Sequence, residues 1–296
     1  MSEQIPLTSD AVADLPHPDD GTREIAADLA YKRLAFVNVV FFGAPHCGDR
    51  QWVLVDSGVN GLTWLIESAA EERFGAGARP AAIILTHGHS DHIGGLEKLA
   101  DKWDAPIFAH DLERPYLDGS ASYPPPDSFV GGGIMPFVAQ LFSLGPIDVS
   151  ARLHTLPADG SVPGMPGWRW LHTPGHTPGH VSLWREADRA IIAGDAFLTT
   201  NMESAYSVAV QEEELHGPPK FFTPDWEAAR QSVEKLAALE PELVVTGHGR
   251  AMRGAEMRAA LHELAQGFDR IAVPEGGRYV AQPSRPEDGT AYRKPT

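Results

Sequence analysis

The sequence is short of sulfur, short of positive charge and without a long apolar run. Its 296 residues contain one cysteine, Cys47. That excludes an intramolecular disulfide and fits a reducing cytoplasm, the expected location. Lysine and arginine number 24 against 40 aspartates and glutamates, a formal net charge of −16. A chain this acidic, with no dense Lys/Arg cluster, repels a polyphosphate backbone and an anionic lipid surface. The expected partner is a small molecule, not nucleic acid or membrane. No stretch approaches the roughly 20 apolar residues needed to cross a bilayer. Residues 1–6, Met-Ser-Glu-Gln-Ile-Pro, lack the basic and apolar regions of a secretory leader.

What is present reads as one globular domain. Residues 1–30 are acidic and interrupted by Pro16, Pro18 and Gly21, and are expected to be an N-terminal arm. The domain is expected over 31–278, followed by a polar, proline-containing tail over 279–296. Within it, Leu34–Phe42, Trp52–Val55, Ala82–Leu85, Ile107–Ala109, Trp168–Leu171, Val181–Trp184, Ala190–Ala193 and Leu243–Val245 are short apolar runs that predict strands. Helices are predicted over 61–73, 96–103 and 255–271, with another starting at Thr223-Pro224-Asp225 as N-cap and first turn. Residues 111–150 form an aromatic-rich, irregular insertion with one predicted helix over Pro136–Phe142. It suits an apolar lid over a site or an oligomer interface, so a homodimer is one expectation.

The chemistry concentrates at strand ends. The run Ala82–Leu85 leads into Thr86-His87-Gly88-His89-Ser90-Asp91-His92, and later runs lead into His176, Asp195 and His248. A lone His-x-His carries little weight. Four ligand-type side chains within six residues, joined by Pro-Gly-His, Gly-Asp and Gly-His-Gly further on, are far more specific. Imidazole mixed with carboxylate suits zinc, iron or manganese. Five histidines and two aspartates are too many for one four-coordinate ion and about right for two. An extended His87-x-His89 puts both rings on one side, whereas adjacent Asp91 and His92 need a turn.

With those motifs in order over roughly residues 34–271, the chain resembles the metallo-β-lactamase superfamily. The resemblance implies an α/β (α+β) fold, a four-layer αββα sandwich of two mixed sheets with helices outside. It implies that His87, His89 and His176 bind a first metal, that Asp91, His92 and His248 bind a second, and that Asp195 bridges them. Two divalent ions, zinc foremost with iron or manganese as alternatives, are the expected cofactors. Asp56, in Val55-Asp56-Ser57-Gly58, matches the family's first motif and would orient a ligand histidine; without the resemblance it reads as an ordinary turn aspartate.

The reaction expected of such a centre is hydrolysis by a bridging hydroxide, with one metal polarising the carbonyl and the other receiving the leaving group. Asp91 or Asp195 would relay the proton. His89 argues against the diiron oxidoreductase branch, which resembles this chain but carries glutamate there. Asp195 argues against true β-lactamases. The run Thr173-Pro174-Gly175-His176-Thr177-Pro178-Gly179-His180 is similar to that of quorum-quenching lactonases. These carry a tyrosine three residues after the bridging aspartate, where this chain has Leu198. Tyr206 or Tyr123 would have to replace that phenol from elsewhere. The expected substrate is thus a carboxylic ester, lactone or thioester. A mononuclear iron enzyme of the persulfide dioxygenase type and a β-lactam or other amide hydrolase are the alternatives. His180 and Leu198 are the candidate substrate contacts, His180 reading equally as a support or as a strand-end residue against Trp184. His110, His154, His172 and His216 read as structural or surface residues.

Overall fold

Eight strands make one sheet of the computed structural model, which describes residues 5–16, 21–127, 130, 146–210 and 212–295. Those strands are β2 (Leu15–Pro16), β3 (Arg23–Ala26), β4 (Leu29–Leu34), β5 (Val37–Phe42), β6 (Val53–Val55), β7 (Ala82–Ile84), β8 (Ile107–Ala109) and β9 (Leu153–Thr155), side by side in that order. A second sheet has the order β10 (Trp168–His172), β11 (Val181–Arg185), β12 (Ala190–Ile192), β14 (Leu243–Val245) and β15 (Met252–Arg253). The remaining strands, β1 (Ile5–Pro6) and β13 (Glu214–Leu215), pair with each other. Both larger sheets are mixed: β6–β7–β8–β9 and β12–β14 are parallel, the other pairs antiparallel.

Alternation along each strand builds the layers, because successive side chains leave a strand on opposite faces. Val39, Phe41, Leu54 and Ile83 enter one core with Ile66, Phe74, Leu96 and Leu99 of the helices Thr63–Phe74 and Leu96–Trp103. Their neighbours Val40, Phe42, Val53, Val55 and Ile84 face the other way, into a core shared with Leu183, Ile192, Leu243 and Val245 of the second sheet. In turn Ile191 and Val244 point outward to Val233, Leu236, Met257 and Leu261 on the helices Trp226–Ala237 and Gly254–Gln266. Three apolar layers between four structural ones make the αββα sandwich that the resemblance implies. Among the described residues, no helix is long and apolar enough to cross a membrane.

Several sequence expectations need correction. The run Leu34–Phe42 is not one strand. It breaks at Ala35, whose φ of 58° turns the chain, so β4 and β5 form a hairpin with Phe36 at its tip. Residues 1–30 are not simply an arm. Ile25 and Leu29 are buried in the core between the sheets, and β3 and β4 extend the larger sheet. The helix after Thr223 starts two residues later than expected. Asp225 is its N-cap and accepts the Ala228 N–H at 3.1 Å. The last predicted helix breaks after Gln266 and resumes over Phe268–Ile271. The polar tail is built in: Ala291 is fully buried, and the Ser122 and Arg293 backbones pair. The helix expected over 136–142 lies outside the described residues, as does the middle of the insertion that carries it.

The β1–β13 pair holds one carboxyl in an unfavourable setting. Burial first, then the charges of Glu212 and Glu203, push Glu214 up to about 7 from an ordinary 4.5. The folded state therefore holds this proton more tightly than the unfolded one. The stabilisation that goes with it is complete below about pH 4.5 and is lost as pH rises through about 7. Glu214→Gln is expected to raise the melting temperature at about pH 8 and to leave it nearly unchanged at about pH 4. Equal shifts at both values in thermal melts would rule out this account.

Candidate metal centre

The seven predicted side chains meet at one edge of the sandwich, where strands of both sheets end. His87 and His89 follow β7, and Asp91 and His92 lie in the short helix Ser90–Ile93 that supplies the turn they need. His176 follows β10, Asp195 follows β12 and His248 follows β14, so these three come from the second sheet. Nitrogen and oxygen atoms fall into three groups, each within 4.8 Å: His87 with His89 and His176, Asp91 with His92 and His248, and His87 with His92 and Asp195. The first two groups are the two ligand sets expected from the sequence. Asp195 lies between them: its Oδ2 is 3.5 Å from His176 Nε2 and 3.2 Å from His248 Nε2, and its Oδ1 is 3.6 Å from His92 Nε2.

Local sequence explains how the groups come so close. A Cβ on Gly247 would stand 2.0 Å from Asp195 Oδ1, so only glycine lets the β14 end pass the carboxylate. Gly194 has φ of 56°, and a Cβ there would meet His180 Nε2 at 2.5 Å.

The far ring nitrogens are held by the scaffold. Asp56 accepts the Thr86 N–H at 2.8 Å and the Thr86 hydroxyl at 2.7 Å, and its Oδ2 is 2.8 Å from His92 Nδ1. Asp56 thus makes the contact to a ligand-type histidine that the sequence suggested, from a backbone with φ of 59°. His248 Nδ1 is 2.8 Å from the Phe36 carbonyl at the hairpin tip. These contacts fix which nitrogen of each ring faces inward.

The inward atoms have the character of ligands. His87 Nε2, His92 Nε2 and Asp195 Oδ1 are buried and have no hydrogen-bond partner. Leaving such atoms unmatched is costly unless a cation meets them. Burial and the neighbouring histidines, chiefly His92, press the His87 and His89 imidazoles toward the neutral form, His89 to about 3. Burial does the same to His176, reinforced by His89. Burial works against a proton on His92 and His248 too, but their carboxylate neighbours, Asp195 foremost, win and raise both. Rings pressed toward the neutral form beside rings that attract positive charge, with carboxylates among them, suit divalent metal.

The candidate substrate contacts are placed differently. His180 is fully buried; its Nε2 accepts the Asp195 N–H at 2.9 Å, and its Nδ1 is 2.9 Å from the Thr173 hydroxyl. It supports the Asp195 backbone and is out of a substrate's reach. Leu198 is also fully buried, packed behind Met202 and Phe221 in a small apolar cluster. Tyr206 is 69% exposed and lines neither cleft beside the centre. Tyr123 lies with its ring centroid 4.5 Å from that of His89, but its hydroxyl donates to Glu113, so its proton is committed. Neither phenol replaces the one absent at position 198.

Sequence reading overlooked Glu113. This fully buried carboxylate accepts four hydrogen bonds. Its Oε2 takes the Gly88 N–H at 2.9 Å and the Tyr123 hydroxyl; its Oε1 takes the Thr177 hydroxyl at 2.8 Å and the Gly179 N–H at 2.7 Å. It therefore ties the loop between His87 and His89 to the loop just after His176. Burial pushes its carboxyl up, and the four donors oppose that. No spacing signal in the sequence marks it. Of the other histidines, the His110 and His172 rings stack with centroids 4.3 Å apart, and His216 is buried.

Two clefts open beside the centre. One, the larger, is lined by Asp91, Asp195, His248 and several apolar side chains. The other adjoins it at His89 and His176.

Comparison with known proteins agrees with this geometry. The sequence profile of the metallo-beta-lactamase superfamily matches residues 33–248. The chain is 46% identical over 236 residues to a probable metallo-hydrolase of Bacillus subtilis, YflN, covering 79% of this chain and 88% of that one. A second probable metallo-hydrolase of the same organism, YqgX, is 30% identical over 205 residues, covering 68% and 81%. Among solved structures, a beta-lactamase domain protein from Burkholderia ambifaria superposes with a TM-score of 0.60 at 21% identity, over 90% of this chain and 80% of that one. A B3 metallo-beta-lactamase with an active-site glutamic acid superposes with a TM-score of 0.56 at 18% identity, over 90% and 95%. At those identities the two structures speak for the fold alone.

Proposed function

This chain belongs to the metallo-beta-lactamase superfamily, and on that premise we propose that it is a dinuclear metallo-hydrolase of ester-type bonds: carboxylic esters, lactones or thioesters. The observation that carries the proposal is the set of buried, unpartnered ligand atoms on His87, His92 and Asp195, surrounded by the other four side chains. His87, His89 and His176 would hold one ion, Asp91, His92 and His248 the other, with Asp195 shared. The ions, when bound, would lower the pKa of water to near neutrality and polarise the substrate carbonyl.

The chain's own groups do the rest. In hydrolysis, hydroxide adds to the acyl carbon and the bond to the leaving oxygen or sulfur breaks, that atom taking up a proton. Asp91 and Asp195 both line the larger cleft, with side chains 18% and 3% exposed. The more exposed Asp91 would pass a proton toward the leaving group, and the buried Asp195 would be shared between the ions. His180 keeps Asp195 in position through its backbone N–H. Phe36, Phe221 and Phe222 shield the centre from bulk water on the cleft side.

The test is elemental analysis of the protein as purified, followed by a panel of lactones, thioesters and aryl esters. Two metal equivalents and turnover of at least one ester class are expected. One iron per chain with thiol-dependent oxygen uptake would overturn the hydrolase reading.

A further inference from the structure

Away from the candidate ligands, the walls of the two clefts are apolar or aromatic side chains. The larger is walled by Phe36, Met202, Pro219, Phe221 and Phe222 around the ligand-type residues. The smaller shares Phe221 and Phe222 and adds Tyr123, Pro124, Pro125, Pro224 and Tyr279. Among the described residues, no lysine or arginine lines either one. Among the same described residues, Asp91 and Asp195 are the only carboxylates that line them, both at the centre itself. Lys220 is near in sequence but is 4% exposed and lines neither cleft. Residues 128–147 carry no charged side chain anywhere in their sequence. Val130 of that stretch packs against the cleft-lining Met202 and Phe221. The Asp127 N–H, just before it, donates to the Phe221 carbonyl at 2.8 Å.

We infer that this protein takes esters whose acyl and leaving groups are both uncharged and apolar, one in each cleft, and discriminates against an acyl group with an anionic end. The inference rests on the ester-hydrolase reading above. The clefts share His89, His176, Phe221 and Phe222, so a bond held beside the two histidines has both clefts next to it, one for each substituent. An alkyl or aryl group gains by leaving water for such walls. A carboxylate at the far end of the same chain loses hydration with no cation to receive it, and that desolvation is not repaid. Sites of this kind discriminate strongly against a group they leave unpaired.

The test uses the full-length, metal-loaded protein and two esters with the same five-carbon acyl chain: 4-nitrophenyl pentanoate and mono-4-nitrophenyl glutarate, which ends in a carboxylate. The expected kcat/KM is roughly tenfold or more higher for pentanoate. Phe222→Lys, which places a cation in both clefts, is expected to narrow or reverse that ratio at unchanged metal content, whereas Phe222→Leu keeps it. Equal kcat/KM for the two esters in the unaltered protein would overturn the inference and leave the hydrolase reading intact, whether or not the variants fold. Turnover of neither ester, nor of any lactone or thioester, would overturn the hydrolase reading and this inference with it.

Discussion

Asp195→Ala is expected to abolish ester hydrolysis and to leave a folded protein that retains fewer than two equivalents of metal. Asp195 stands closer than 4 Å to three histidines drawn from both ligand sets. Its removal takes away the carboxylate that offsets positive charge at both positions at once. The loss should exceed the roughly 10–100-fold that attends removal of an outer partner of a ligand. His87→Ala and His248→Ala should be equally inactive, but each withdraws a ligand from one set alone. Metal analysis beside a rate assay separates the cases. Near-normal turnover in any of the three would contradict the two-metal scheme.

Glu113→Gln carries the second large effect, at a position that touches no proposed ion. The amide keeps one acceptor oxygen but turns an NH2 toward two of the four donors that Glu113 now receives. Mismatched buried hydrogen bonds of this kind cost about 3 kcal/mol. The two loops it joins carry His87, His89 and His176, so the damage should fall on one ligand set. Metal affinity there is expected to drop roughly 10–100-fold, read by chelator competition, while the set of Asp91, His92 and His248 is little changed. A cobalt-substituted sample gives a second reading, because only the spectrum of the His87 set should shift. If the chelator competition curve and the melting temperature both match the parent protein, Glu113 does not have this role.

The residues that gather at the candidate centre were legible in sequence because their constraints are local. His87, His89, Asp91 and His92 sit within six residues after an apolar strand, and the glycines at 194 and 247 mark close approaches that another residue would block. The strands were legible for the same reason, since β7, β8 and β12 are short apolar runs. The hairpin tip at Ala35 was hidden because its apolar pattern runs on through the turn and nothing but a positive φ at an alanine marks it. Glu113 was hidden because its partners are 10 to 66 residues away, and two of the four are backbone groups that any sequence would offer. The pairing of the tail with residue 122 depends on equally distant contacts. His180 illustrates a third limit. Its place in a motif was visible, but whether its ring faced a substrate or the Asp195 backbone depended on the turn at Gly194.

The division of the seven residues between two sheets has a consequence for how the protein comes apart. Four stand on the first sheet and three on the second. Neither half of the chain can assemble the centre alone. Ions that bind there act as rivets through the sandwich, and a ligand that binds only the folded form raises its stability by mass action. The same rivets make the protein divisible in principle. Cut in the loop between β9 and β10, it would yield two fragments, each holding part of a coordination sphere and an apolar face that only the other covers. Their reunion would be reported by the metal itself.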